Sequence, residues 1–243
     1  MRKVKQIFID LVLKLKDTLK NTSLRSIFHV LLPIPHWQGV SMVIIEGVAG
    51  VGKTTLQKMI CQKMNNSYML IQDFEHNICL EDFYLGESCL LQKQMIFLFS
   101  DYHVLSSSII KNLNKIIISD FSLERSDIMA KRYLSKYEYE NLFLPCYQYL
   151  MEKVQNQRKM LILLYASPEH ILENIAKRNR SMERGIQLQY IHERQELLME
   201  ELPKYSFDKV VRINCDCENL YDDSLIVKLN REILCFEQKY QIV

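Results

Sequence analysis

The chain has 243 residues, of which 48% are hydrophobic and 25% are charged. This length can bury one sizeable core, so we expect a single α/β domain with an extension. With 31 Lys and Arg against 29 Asp and Glu, the net charge of +2 does not call for nucleic acid or an anionic membrane as partner. The seven cysteines are scattered without a C-x-x-C pair, which indicates reduced thiols in a cytoplasmic protein.

Residues 1–40 are predicted to form an N-terminal helical extension to a domain at residues 41–243. Ile7, Leu11 and Leu15 recur at helical spacing, which indicates an amphipathic helix over residues 4–20. Six Lys and Arg against two Asp in the first 20 residues make contact with a membrane surface one alternative. Packing on the domain or on a second subunit is the favoured alternative.

From residue 42 the sequence changes to short apolar runs, rich in β-branched residues, that are separated by segments of helical periodicity. Such runs predict the buried parallel strands of an α/β sheet. They are MVIIE at 42–46, SYMLI at 67–71, KIIISD at 115–120, MLILLYA at 160–166 and KVVRINC at 209–215. Long helical segments are predicted over residues 90–113 and 125–154. We therefore expect a five-stranded parallel sheet flanked by helices.

A phosphate-binding loop follows the first predicted strand, where residues 46–55 read EGVAGVGKTT. The sequence has the G-x-x-x-x-G-K-T spacing and precedes a predicted helix, which is the context that this motif requires. Backbone N–H groups and a helix N-terminus bind phosphates there, a lysine reaches the outer phosphates and a threonine ligates magnesium. The ligands expected from this loop are a purine nucleoside triphosphate and Mg²⁺. The predicted nucleotide-binding residues are Gly47, Val48, Ala49, Gly50, Val51, Gly52, Lys53, Thr54 and Thr55.

Three further segments resemble the deoxyribonucleoside kinases, which phosphorylate the 5′-hydroxyl of deoxynucleosides with ATP. IIISDFSLERSD carries an E-R-S triplet after a strand, and KRNRSMERGIQLQY is similar to the lid of that family. EHNICLEDFY followed by LQKQMIFLFSDYHVL resembles its substrate-side segment. The resemblance covers about residues 42–205 and implies a P-loop kinase fold with a lid near residues 176–186. It implies ATP-dependent phosphorylation of a deoxynucleoside or nucleoside-like alcohol.

The same resemblance implies roles in handling phosphate. Arg178 and Arg180 of the lid would close over the transferring phosphoryl group, and Arg125 would bridge substrate and phosphate. The magnesium ligand besides the loop threonine would be Glu124, which the resemblance favours, or Asp120, which its position at a strand end favours.

On the acceptor side, the resemblance implies that Tyr84 and Glu183 hydrogen-bond the sugar and that Gln94 reads the base edge. Two positions depart from the family pattern. Asp101 stands where an arginine is frequent, and Ala130 stands where several members have an aspartate. These departures leave the base preference open.

The general base is a further departure. Family members place a glutamate at the end of the second strand, five residues before an asparagine, and counting back from Asn77 reaches Gln72. A glutamine cannot take the proton of the 5′-hydroxyl, although it can orient that hydroxyl. Asp73 is the candidate base, and Glu75 is an alternative.

Two rival functions follow from this departure and from the motif itself. A catalytically weakened homologue would bind nucleotide as a regulatory or scaffold protein, and a nucleoside monophosphate kinase would use the same loop. The expected partner is a small-molecule nucleoside-like substrate and no nucleic acid, and the expected assembly is a homodimer.

Overall fold

The computed structural model describes residues 40–71, 90–112, 114–154, 157–180, 183 and 185–238. The predicted N-terminal helix lies outside these residues, as do the candidate base Asp73 and its neighbours Gln72 and Glu75. Tyr84, expected at the sugar, lies outside them as well. The division into an extension and a domain therefore stays a prediction.

Five strands in the described part of the chain form one parallel sheet in the order β2-β3-β1-β4-β5. Their bounds are Ser41–Glu46 (β1), Ser67–Leu70 (β2), Ile116–Ser119 (β3), Arg158–Tyr165 (β4) and Lys209–Asn214 (β5). Every predicted strand is present, with ends shifted by one or two residues. The predicted five-stranded parallel sheet is confirmed.

The three central strands carry the core. All residues of β1 and β3 are buried, as are all but the first and last of β4. Helices cover both faces of a parallel sheet, so its inner strands are apolar without alternation. The edge strand β5 buries only Ile213.

Helices connect the strands and pack on the sheet. The longer ones are Lys53–Lys63 (α1), Leu90–Lys111 (α2), Leu123–Tyr133 (α3), Leu144–Val154 (α4), Pro168–Arg178 (α5), Leu188–Glu201 (α6) and Asp223–Gln238 (α7). No helix in the described ranges is long and apolar enough to cross a membrane.

The helical segment predicted over residues 125–154 is interrupted. Helix α3 ends at Tyr133 because Leu134 takes an extended conformation. The Ser135 side chain then caps a new turn in a capping box with Glu138, and a π-helical stretch at Tyr139–Phe143 leads into α4. A local cap thus divides a segment whose apolar periodicity alone indicates one helix.

The sheet register brings two parts of the site together. Ile44 of β1 lies beside Ser119 of β3 and Leu161 of β4, so these strands end at the same edge of the sheet. In open α/β sheets, ligands bind beyond the carboxyl ends of the strands.

Candidate active site

The phosphate-binding loop is packed so tightly that two of its glycines have no space for a side chain. A Cβ on Gly47, whose φ is +147°, would lie 2.6 Å from the Leu164 carbonyl oxygen. A Cβ on Gly50, whose φ is +86°, would lie 2.7 Å from Cγ1 of Ile175. Both positive φ angles disfavour L side chains, so these positions need glycine. The loop is therefore held against β4 and α5.

Lys53, at the start of α1, reaches back over this loop. Its Nζ donates to the carbonyl oxygens of Gly47 at 2.8 Å and Val48 at 2.9 Å. Burial, together with the nearby Arg125 and Arg178 guanidinium groups, lowers the pKa of Lys53 to about 8. Since neighbouring cations disfavour the charged form, an anion placed among them would be strongly stabilised.

Thr54 contacts Asp120, which follows β3 directly. The Thr54 Oγ1 donates to Asp120 Oδ2 at 2.5 Å. Asp120 is buried, and its Oδ1 has no hydrogen-bond partner among the described residues. A hydroxyl oxygen beside a carboxylate oxygen that lacks a partner is a donor set that suits Mg²⁺. These two side chains therefore fit the metal expected from the sequence.

The structure does not bring Glu124, the other candidate ligand, to this group. Its carboxylate pairs with the Lys159 ammonium at 2.5 Å in a buried contact, and Glu124 does not line the cleft. The Ser122 side chain caps α3 by accepting from the Arg125 N–H, so Glu124 falls in the first helical turn. Neighbours in a helix point about 100° apart, since a turn takes 3.6 residues, so Arg125 can face the cleft while Glu124 does not.

Arg125 is held by a carboxylate that the sequence reasoning missed. Its Nη1 lies 3.5 Å from Oε2 of Glu46, the last residue of β1, and Glu46 Oε1 accepts from the Ser122 hydroxyl at 2.8 Å. Burial raises the pKa of Glu46, against the opposing influence of Arg125, Lys53 and two hydrogen bonds. The sequence signal that could have identified Glu46 is an acidic residue at the end of a fully apolar predicted strand.

Four residues of the predicted lid line the same cleft as the loop, namely Arg178, Arg180, Glu183 and Ile186. Helix α5 ends at Arg178, where Asn179 takes a left-handed conformation with φ of 50°. The Arg178 Nε donates to Glu183 Oε2 at 3.0 Å, and its Nη2 donates to Glu183 Oε1. Arg178, which is expected to contact phosphate, and Glu183, which is expected to contact the sugar, thus contact each other. Arg180, the second predicted lid arginine, lines the cleft.

These groups surround one cleft with a volume of about 1010 Å³. That volume is at the upper end of ordinary ligand pockets. The predicted residues that line it are the loop residues 47–55, Gln94, Asp120, Arg125, Arg178, Arg180 and Glu183. Asp101 lines it as well, whereas Ala130 is fully buried and is not part of the lining.

Arg194 on α6 lines the cleft and is another residue that the sequence reasoning missed. Its Nη1 donates to the Tyr133 hydroxyl at 2.6 Å, and its guanidinium lies 5.4 Å from the ring centroids of Tyr133 and Tyr190. Contacts with aromatic faces hold such a cation in place. An arginine among charged residues of an amphipathic helix resembles a solvated face, so the sequence carries little signal for it.

Comparison with known proteins shows the family to which the chain belongs. A family model described as deoxynucleoside kinase matches residues 43–233. Among curated proteins, the deoxyguanosine kinase of Bacillus subtilis (strain 168) is 30% identical over 154 residues, which are 62% of this chain and 73% of that relative.

Solved structures show the same fold. Deoxyadenosine kinase from M. mycoides with bound dCTP has a TM-score of 0.63 at 21% sequence identity, over 80% of this chain and 98% of that chain. Deoxyadenosine kinase from M. mycoides with bound dATP has a TM-score of 0.59 at 20% identity, over 80% of this chain and 99% of that chain.

Proposed function

Because the chain belongs to the deoxynucleoside kinase family and is a nucleoside kinase, we propose that it transfers the γ-phosphoryl group of ATP to the 5′-hydroxyl of a deoxynucleoside. The observation that carries this proposal is the composition of the cleft. Its lining combines the phosphate-binding loop and the cations Lys53, Arg125 and Arg178 with the polar side chains Gln94 and Asp101. A triphosphate suits the first group of residues and a nucleobase suits the second.

At the phosphate end, the chain stabilises the charge that spreads over the transferring group. Burial lowers the pKa of Lys53, and Arg125 and Arg178 lie close enough to lower it further. Fixed cations of this kind stabilise the transition state without reorganisation, because they are already in place. Glu46 pairs with Arg125, and the Ser122 hydroxyl donates to Glu46 and so holds this carboxylate in position.

Thr54 and Asp120 would hold Mg²⁺ in this proposal, so Asp120 takes the role that the family resemblance gives to Glu124. Bound Mg²⁺ supplies further neutralisation of the phosphate charge. The buried ion pair of Glu124 with Lys159 makes Glu124 a structural residue of α3 in this assignment.

On the acceptor side, Glu183 and Tyr84 bind the sugar and Gln94 binds the base. The bond between Arg178 and Glu183 joins the lid arginine to the sugar-binding carboxylate, so closure of the lid over phosphate is coupled to the acceptor site. Arg180 adds a second lid cation. The homodimer and the separate role of residues 1–40 stay predictions.

The proposed activity is tested by incubating the full chain with ATP, Mg²⁺ and each common deoxynucleoside, and by measuring the monophosphate formed. Deoxyguanosine and deoxyadenosine come first, since similar proteins carry those names. Lys53→Met serves as the inactive control. Monophosphate from at least one deoxynucleoside is the expected result, and none from any of them, in protein that binds ATP, contradicts the proposal.

The general base is tested in the same assay. We propose that Asp73 takes the proton and that Gln72 orients the hydroxyl. Asp73→Asn should lower kcat by about 10²- to 10⁴-fold, which is the usual contribution of a general base. A rise in kcat of tenfold or so in Gln72→Glu, with little loss in Asp73→Asn, would instead show that the base was lost at residue 72.

A further inference from the structure

One buried side chain of α1 connects this helix to the ends of two strands. The Gln57 Nε2 donates to the Leu70 carbonyl oxygen of β2 at 2.6 Å and to the Ile118 carbonyl oxygen of β3 at 2.8 Å. Gln57 is fully buried. Its two acceptors are 13 and 61 positions away in the chain, so a single amide joins three elements of the fold.

The two carbonyl groups determine the orientation of the Gln57 amide. An amide nitrogen carries two N–H donors and the oxygen only accepts, so a flipped amide would place its oxygen against two carbonyl oxygens. In the orientation present, the Gln57 Oε1 has no hydrogen-bond partner among the described residues. An unpaired buried oxygen costs free energy, which reduces the net stability that Gln57 contributes. Proteins accept such costs mainly at functional sites.

Gln57 lies one helical turn along α1 from the side chains that are expected to bind phosphate and metal. It follows Lys53 by four residues and Thr54 by three, and side chains at these spacings are neighbours on one face of a helix. The Thr54 Oγ1 donates to Asp120 Oδ2 at 2.5 Å. The face of α1 that carries Lys53 and Thr54 therefore continues into Gln57.

The strand ends that Gln57 contacts lead into the cleft. Ile71 directly follows Leu70, Asp120 follows Ile118 by two residues, and both Ile71 and Asp120 line the cleft. Helix α1 and the end of β3 are thus joined by two polar contacts close together. One is the bond from Gln57 to Ile118, and the other is the bond from Thr54 to Asp120.

Apolar packing alone does not determine the position of α1 to this accuracy. Leu56 and Ile60 of α1 are fully buried, and their burial holds the helix on the sheet. The hydrophobic effect is non-directional, so it permits small rotations and shifts of the helix. Hydrogen bonds prefer defined distances and angles, so the two bonds of Gln57 restrict where α1 lies relative to β3.

We propose that Gln57 is a positioning residue that keeps Thr54 and Asp120 at the separation that Mg²⁺ requires. This inference rests on the proposed function, since it takes Thr54 and Asp120 as the metal ligands. Magnesium sites need near-ideal octahedral geometry with bonds of about 2.1 Å, so a small shift of α1 against β3 weakens them. Groups that orient metal ligands typically contribute about 10- to 100-fold to metal affinity or activity.

The test measures how much Mg²⁺ strengthens the binding of ATP. Calorimetric titration of the full chain with ATP, once in Mg²⁺ and once in EDTA, gives the ratio of the two affinities without any acceptor nucleoside. Gln57→Met keeps a side chain of similar length but removes both donors, and it should lower this ratio by about tenfold or more. Affinity in EDTA should change much less, because the loop and Lys53 contact phosphate without the metal ligands.

Ile60→Ala is the matched control for a general loss of stability. Ile60 is a buried residue of the same helix and does not line the cleft. Its truncation destabilises the core but leaves both bonds of Gln57 in place. Urea unfolding measures the stability of both variants, and the Mg²⁺ ratio should be unchanged in Ile60→Ala. An equal fall of the ratio in Ile60→Ala overturns the proposal.

A double variant tests whether Gln57 acts through Asp120. Asp120→Asn should lower the Mg²⁺ ratio, and adding Gln57→Met should lower it little further, because residues that act through one another are not additive. Gln57→Asn carries its amide on a stem one methylene shorter and should give an intermediate loss, which keeps the test available if Gln57→Met does not fold. An additive double loss, or an unchanged ratio in folded Gln57→Met, overturns the proposal.

Monophosphate formation separates this inference from the proposed activity. A Mg²⁺ ratio that depends on Gln57, in a chain that forms no monophosphate, would refute the activity and leave the positioning role standing. Monophosphate formation with a ratio that does not depend on Gln57 would refute the positioning role alone. A ratio near one in the unaltered chain would also overturn the positioning role.

Discussion

At the scale of single residues, the phosphate-binding part of the cleft combines cations that repel one another with carboxylates that attract them. Burial and the nearby cations Arg125 and Arg178 lower the pKa of Lys53, and Glu46 and Asp120 only partly offset this. In the free protein, Lys53 therefore loses its proton at a lower pH than a lysine in water does. Bound triphosphate reverses this balance, because its charge favours the ammonium form.

The first prediction is a pH dependence of ATP affinity. In the free protein the pKa of Lys53 is about 8, and bound phosphate raises it. ATP affinity is therefore greatest below that pH and falls as the pH rises through it, by up to about tenfold per pH unit. Calorimetric titration at a series of pH values measures this slope.

Lys53→Met is the control for that slope. This variant should bind ATP at least about tenfold more weakly and should lose the decline above the Lys53 pKa, since no group at position 53 titrates. An unchanged decline in the variant would assign the effect to another group.

At the scale of one element, the N-terminus of α3 connects helix formation with the site. The Ser122 Oγ accepts from the Arg125 N–H at 3.1 Å and donates to Glu46 Oε1 at 2.8 Å. The cap that starts the helix therefore also fixes the carboxylate that holds Arg125. Residues Asp120 and Arg125, on either side of this cap, both line the cleft.

The second prediction follows from this double contact. Ser122→Ala should cost about 1 kcal/mol of stability through the lost cap, and it should also weaken ATP binding and turnover because Glu46 loses a hydrogen bond. Ser135→Ala removes the exposed cap of the next helical turn at a similar cost in stability. Urea unfolding and ATP titration distinguish them, and equal effects on ATP binding would contradict the assignment.

At the scale of the whole molecule, a second buried network holds α3 to distant parts of the chain. Asp127 accepts from the Tyr139 hydroxyl at 3.0 Å and from the Tyr205 hydroxyl at 2.6 Å. Burial raises the pKa of Asp127, although these hydrogen bonds oppose the shift. One carboxylate thus connects the π-helical stretch before α4 and the segment after α6.

The third prediction concerns this network. Asp127→Ala leaves two hydroxyl groups without their acceptor and should lower the free energy of unfolding by about 2 to 4 kcal/mol. Asp127→Asn keeps an acceptor of the same shape and should cost about half as much or less. Thermal and urea unfolding measure the stability of both variants. Equal losses in the free energy of unfolding would show that the hydrogen bonds to residue 127 do not contribute to stability.

Much of the fold follows from local pattern. The five apolar runs predict the strands because buried parallel strands lack alternation, and the glycine spacing after the first run predicts the phosphate-binding loop. The break at Leu134 was missed because apolar periodicity extends across it, and a single serine cap decides the boundary. The choice between Glu124 and Asp120 as metal ligand stays a prediction, to which the structure adds that Glu124 pairs with Lys159 and that Thr54 contacts Asp120.

The sequence by itself determined the sheet, the loop and the kinase family, since each depends on residues that are near neighbours in the chain. Only the tertiary structure decided which side chains from distant parts of the chain contact one another. Thr54 contacts Asp120 over 66 positions, and Ser126 contacts Asp101 over 25. Such pairs depend on strand order and helix rotation, which the packing of the whole core determines and which no local pattern encodes.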